Sequence, residues 1–175
     1  MLRSLPSALL ACLMAAAFLP AQAQSGPNDA QIAAIVVVAN QVDVDAGKLA
    51  QDRTKSEEVR KFAKQMVVDH NGVNEAATAL VTKLKVKPEA NDTSRSLQKG
   101  GDENLTKLRA LKGAAFDKAY VDNEVGYHQA VIDAIDKTLI PSAQNAELKA
   151  LLVKVRPAFI AHLEHAKHLQ SQLAK

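Results

Sequence analysis

The chain is predicted to be all-α, an antiparallel four-helix bundle with a short extra helix before the third long one. Three observations carry this. Ala, Leu, Lys, Gln and Val are abundant and glycine is scarce, with seven in 175 residues. Apolar residues recur at alternating steps of three and four over four long stretches, whereas alternation with period two never persists. Most links between those stretches are short, which makes consecutive helices antiparallel neighbours.

The N-terminus reads as a targeting segment. Arg3 supplies the positive end, Leu5 to Leu19 is apolar and uncharged, and Ala21-Gln22-Ala23 has the small-x-small form of a signal-peptidase site. Residues 1–23 are therefore expected to leave, followed by a short lead over 24–28 and one domain over 29–175. Cys12, the single cysteine, would leave with the leader. Leu9-Leu10-Ala11-Cys12 resembles a lipoprotein site only faintly, because Leu10 fits poorly. Thiol chemistry is thereby excluded from the mature chain. The expected location is the periplasm, with peripheral attachment to the envelope left open and no transmembrane span in the mature chain.

The first helix is expected from an Asn28 or Asp29 cap to about Asp52, with the stripe Ile32, Ile35, Ala39, Val42, Ala46, Leu49. Thr54-Lys55-Ser56-Glu57 has the form of a capping box and opens a second helix to about Lys85. Lys87-Pro88-Glu89 ends it, and Ala90–Ser96 reads as a loop. A shorter helix is expected over Leu97–Lys112, interrupted by Gly113. The third long helix follows from Ala114 to about Leu139, with a turn at Pro141. Asn145 can cap the last helix, to about Leu173, in which Pro157 removes a hydrogen bond to Val153 and predicts a kink.

The formal net charge is +3, and loss of Arg3 lowers it by one. Both signs are mixed along the helices, with no basic block. Beyond the leader the aromatics are only Phe62, Phe116, Phe159, Tyr120 and Tyr127. A nucleic-acid partner is not expected. The sequence does not identify a protein or small-ligand partner, and oligomerisation stays open.

Three histidines stand on the apolar seams of three different helices. His70 follows Ala63 and Met66, His128 follows Val121 and Val125, and His162 follows Val155 and Phe159. A buried imidazole needs a partner. One solution is a histidine-rich site for a divalent transition metal, Cu(II), Zn(II) or Ni(II), with Glu124, Asp43 or Asp69 adding a carboxylate or orienting a ring. The other is a carboxylate or carbonyl from a neighbouring helix, with no metal. His165 and His168 drift off the seam toward solvent. The duplicated Glu-x-x-His set of di-iron bundles is absent, which speaks against iron oxidation or storage. No phosphate loop, nucleophile elbow or His-Glu-x-x-His pair occurs, and no catalytic residue is assigned.

Several segments together carry a resemblance: Ala46-Gly47-Lys48-Leu49-Ala50, Val59-Arg60-Lys61-Phe62-Ala63, Met66-Val67-Val68-Asp69-His70, Leu111 to Tyr120, His128-Gln129-Ala130-Val131, Pro157 and His162-Leu163. In this order and spacing the chain resembles the bacterial family known as domain of unknown function 4142, from about Ala30 to His168. The resemblance implies a secreted ferritin-like bundle, and it supplies no reaction. Members often carry an outer-membrane label, which the lack of an amphipathic strand series contradicts. The leading expectation is a non-catalytic binding or structural bundle serving envelope maintenance or stress. The alternative is a histidine-based metal-binding or metal-dependent redox protein.

Overall fold

In the computed structural model, residues 26–174 are described. The expected leader, with Cys12 and the Ala21-Gln22-Ala23 site, lies outside them. The helices are α1 (Asp29–Arg53), α2 (Glu57–Leu84), α3 (Asp92–Arg109), α4 (Gly113–Ala134) and α5 (Ala146–Leu173). Between α4 and α5 the chain stays helical, first as a π-helical turn over Ile135–Leu139 and then as one α-turn over Ile140–Ser142. No helix of the described residues is long and apolar enough to cross a membrane. The all-α bundle read from the periodicity is the fold observed.

Side-chain caps place most of the boundaries. The Asn28 side chain accepts from Gln31 N and opens α1. Ser56, not Thr54, caps α2 by accepting from Val59 N. Thr54 instead closes α1, its amide donating to Ala50 O, and its hydroxyl accepts from Ser56 N. The capping box expected at Thr54 is thus corrected by two residues, because α1 runs one residue further than anticipated. The loop expected over Ala90–Ser96 is also corrected. Asn91 and Ser94 form a reciprocal capping box, so α3 begins at Asp92. Polar residues that suggested a loop are the cap and exposed first turns of a helix. Around Pro141 the helix continues to Ser142. Asn145 caps α5 as expected, accepting from Glu147 N and Leu148 N, and α5 runs unbroken through Pro157.

Helix directions follow from contacts at the ends. Glu89 N donates to Ala30 O, so the chain leaving α2 lies beside the start of α1. Arg53 donates to Arg109 O, so α3 finishes beside the end of α1. Asp29 accepts from Gln144 N and Asn145 N, which brings the start of α5 back to the start of α1. Consequently α3 runs parallel to α1 and returns the chain along the bundle. Helices α1, α2, α5 and α4 then form a square in which each neighbour is antiparallel. The extra helix expected over Leu97–Lys112 is therefore present as α3, with its bounds moved toward the N-terminus, and it returns the chain along the bundle.

Helix α1 packs against α2, α3 and α4. That surrounds it, and Val36, Asn40, Asp43, Gly47 and Ala50 are buried along a face beside the stripe read from sequence. Gly47 permits a close α1–α2 approach, since a Cβ there would lie 3.0 Å from Ala63 O. Gly101 does the same for α3, where a Cβ would meet Val42 Cγ2 at 2.7 Å. Two apolar clusters fill the two ends. One includes Ile32, Ile132, Ile135, Leu148 and Leu152. The other includes Phe62, Met66, Phe116, Tyr120 and Leu169. Between them, at mid-height, lies a buried polar layer.

Candidate metal centre

Each of the four square helices contributes to that layer. Helix α1 supplies Asn40 and Asp43, α2 supplies His70, α4 supplies Glu124 and His128, and α5 supplies His162. All six are at most 3% exposed. The three imidazoles predicted from the seams converge, with ring centroids 5.3 to 5.5 Å apart pairwise. Each offers a nitrogen within 4.8 Å of the others, and Asp43, Glu124 and His128 form a second triad by the same measure.

Hydrogen bonds at the periphery fix the orientation of each ring. Asn40 Nδ2 donates to Val36 O at 2.7 Å, so its Oδ1 faces His70 Nδ1, also at 2.7 Å. His70 therefore donates from Nδ1. His128 donates from Nδ1 to Glu124 O, 3.0 Å away and one turn back. His162 donates from Nε2 to Asp69 Oδ2 at 2.9 Å. What remains inward is His70 Nε2, His128 Nε2 and His162 Nδ1, all buried without a hydrogen-bond partner among the described residues. One nitrogen held by an outer acceptor and the other left as a lone pair is the arrangement that orients imidazoles toward a cation.

Asp43 stands at the focus. Its Oδ2 is 2.6 Å from His70 Nε2 and 3.5 Å from His128 Nε2, yet neither carboxylate oxygen makes an aligned hydrogen bond. A carboxylate and an imidazole lone pair do not approach this closely unless a proton or a cation offsets the repulsion. Glu124 adds two more orphaned oxygens beside Asp43, and the Tyr120 hydroxyl is orphaned too. An unsatisfied buried polar group costs about 1–3 kcal/mol, so this many in one layer is a large burden on an otherwise apolar core.

The electrostatics separate the two carboxyls. Burial pushes Asp43 up, but the adjoining His70 and His128 imidazoles outweigh it and hold the group at about 2. Burial, followed by the Asp43 charge, drives Glu124 well above the ordinary carboxylate range. One proton thus resides on Glu124 beside an ionised Asp43. Burial also lowers His128 to about 4 and lowers His162, so both are neutral at neutral pH.

Of the six residues selected from sequence, His70, His128, His162, Asp43 and Glu124 meet in the layer. Asp69 sits outside it, its side chain 40% exposed, and acts by orienting His162. His165 is exposed and packs edge-on against Phe62, while His168 meets Gln172 at the surface. Two contributors were not singled out for the site. Asn40 lies on the seam Val36, Asn40, Asp43, Gly47, a three-and-four pattern legible once α1 is known to be buried on more than one face. Phe159, assigned to the core, stacks on His70 with ring centroids 5.1 Å apart and planes within 8°. Tyr127 donates to Ala39 O rather than joining the cluster.

A donor set of three imidazole nitrogens and one carboxylate oxygen suits Zn(II), Cu(II) or Ni(II). Donors bound tetrahedrally at about 2.1 Å lie roughly 3.4 Å apart, so the three imidazoles, whose nitrogens lie within 4.8 Å of one another, would draw inward around an ion.

Two solved structures share the fold. The secreted-protein DUF305 structure from Streptomyces coelicolor aligns with a TM-score of 0.70 and 17% identity, covering 82% of this chain and 92% of that one. The Cu(II)-bound form of CopM aligns with a TM-score of 0.66 and 13% identity, covering 84% of this chain and 98% of that one. No curated protein matches the chain. The family profile described as domain of unknown function (DUF4142) matches residues 15–169, nearly the whole length, and the chain belongs to that family.

Proposed function

We propose that this protein binds one divalent transition-metal ion, Cu(II) foremost, through His70, His128, His162 and Asp43. The observation that carries the reading is the set of three buried imidazoles, each held from outside by Asn40, the Glu124 carbonyl or Asp69 and each turning an unpartnered nitrogen inward. On the inner side His128 and His162 meet no hydrogen-bond partner among the described residues, and His70 meets only the crowded Asp43 carboxylate. That moves the weight from a purely structural bundle to the metal-binding alternative. Cu(II) is favoured because affinity for nitrogen and oxygen donors peaks there among the first-row divalent ions, and the Cu(II)-bound form of CopM lends this support through its shared fold.

Bound there, a cation would offset the close approach of Asp43 Oδ2 to His70 Nε2 and give the orphaned groups a common partner. Glu124 stays protonated beside Asp43, and Asp69 holds the His162 ring from the surface side. The same reading takes residues 1–23 as a cleaved leader and 29–175 as one periplasmic domain, on the strength of Arg3, the apolar run and Ala21-Gln22-Ala23. We take the role to be holding or delivering the ion.

The test is elemental analysis of untagged mature protein isolated from the periplasm, followed by Cu(II) titration of metal-free protein. One equivalent is expected in the wild type and none in folded His162→Ala. A folded wild type that takes up neither Cu(II) nor Zn(II) overturns the reading and leaves a structural bundle.

A further inference from the structure

A cavity of about 250 Å³ lies against the polar layer on the side of the first apolar cluster. Val36, Val131, Leu152 and Phe159 form its walls, and Asn40, His70 and His128 form its inner end. The exposed Thr93 of α3 and Thr138 mark where it reaches solvent. Native interiors leave few voids larger than a water molecule. A dry apolar cavity of about 150 Å³ already accepts benzene.

A second observation marks the same place. The π-helical turn Ile135–Leu139 puts Ile135, Thr138 and Leu139 on the cavity wall. Such insertions are rare and concentrate at functional sites. Among the described residues no Asp, Glu, Lys or Arg lines the space, so an ionised ligand would lose its hydration without compensation. At the inner end the imidazoles spend Nδ1 on Asn40 Oδ1 and on Glu124 O. Asn40 Nδ2 gives one proton to Val36 O, and its second has no acceptor among the described residues. Tyr127, which also lines the cavity, has its hydroxyl proton committed to Ala39 O.

We propose that this cavity binds a small, neutral, largely apolar organic molecule, somewhat larger than benzene, with a single carbonyl or hydroxyl oxygen that accepts from Asn40 Nδ2. The apolar body fills the space among α1, α4 and α5, and the oxygen points toward the histidine layer. The site stands without the metal, because its donor is an amide and its walls are hydrocarbon. It also makes Asn40 a shared part, which orients His70 with its oxygen and the ligand with its nitrogen.

The probes are acetophenone, ethylbenzene and benzoate, titrated calorimetrically into metal-free mature protein. Acetophenone is expected to bind one to one, and ethylbenzene about five- to tenfold more weakly for lack of the acceptor. Benzoate is not expected to bind. Val131→Phe and Ala134→Leu each fill the cavity and are expected to weaken acetophenone at least about tenfold, with the helical circular dichroism and Cu(II) uptake kept. Should both variants unfold, nuclear Overhauser contacts from acetophenone to the Val36 and Val131 methyls in the wild type decide. Absence of saturable binding, binding that survives filling, or contacts elsewhere overturns the proposal. Equal affinity for acetophenone and ethylbenzene overturns the role of Asn40. Failure of Cu(II) uptake with acetophenone binding intact removes only the metal reading.

Discussion

Glu124 shows how one side chain records the conditions of its layer. It is fully buried, carries two orphaned oxygens, and lies beside an ionised Asp43. Its carboxyl keeps a proton in the fold at pH values where the unfolded chain releases it. The native state then binds more protons than the unfolded state, so this group's contribution to stability falls as pH rises above about 4.5. The ceiling on that slope is about 1.4 kcal/mol per pH unit for one proton. Glu124→Gln has no proton to lose and nearly the same shape. In metal-free protein its urea midpoint is expected to exceed the wild type's at pH 8 by more than at pH 5. A gap that stays constant or shrinks toward pH 8 would mean Glu124 is ionised in the fold. His128 works in the opposite sense, since its folded value near 4 lies below the ordinary 6.5. Its contribution is present above that range and is lost as pH falls from about 6.5 toward 4. The comparison with Glu124→Gln isolates the glutamate because His128 is common to both proteins.

At the scale of elements, α3 is the part that polarity made hard to read and that close approach holds in place. Few of its residues are buried, namely Ser94, Gly101 and Leu108. Its capping box sets the start, Leu108 anchors the far end in the second cluster, and Gly101 lets the backbone settle onto Val42. Gly101→Val puts a branched side chain where even a Cβ would be 2.7 Å from Val42 Cγ2. The expected cost is about 1–3 kcal/mol, and hydrogen exchange should show protection lost first along α3. Unchanged α3 protection would show that α3 does not depend on this contact. Because Thr93 and Leu97 of α3 line the apolar cavity, loosening α3 also opens the route to it.

For the whole molecule, the arrangement is a polar layer clamped between two apolar clusters, with one donor-bearing segment from each of four antiparallel helices. Folding and site assembly are then one process, and a ligand of the assembled site stabilises the whole fold. If the proposed site binds it, Cu(II) at a free concentration of about 100 times its dissociation constant is expected to add about 2.7 kcal/mol, which for a chain of this size would raise Tm by roughly 5–10 °C. EDTA should return Tm to the metal-free value. A rise that persists in His162→Ala would place the ion elsewhere on the surface. The return helix α3 makes this layout possible, since without it α4 could not start beside the end of α1 and run antiparallel to it.

The helical class, the four long helices, a first cap at Asn28 or Asp29, the Asn145 cap, and the faces carrying His70, His128 and His162 were legible in the sequence alone. These follow from the 3.6-residue period and from short-range capping, which are local properties. Only the tertiary structure decided that the three faces meet at one height. It also decided that Asp43 stands at the focus while Asp69 stays outside, and that Asn40 fixes the His70 ring. Height in the bundle depends on where each helix starts and how closely its neighbours approach, as at Gly47 and Gly101. Those are long-range packing relations that no local pattern encodes.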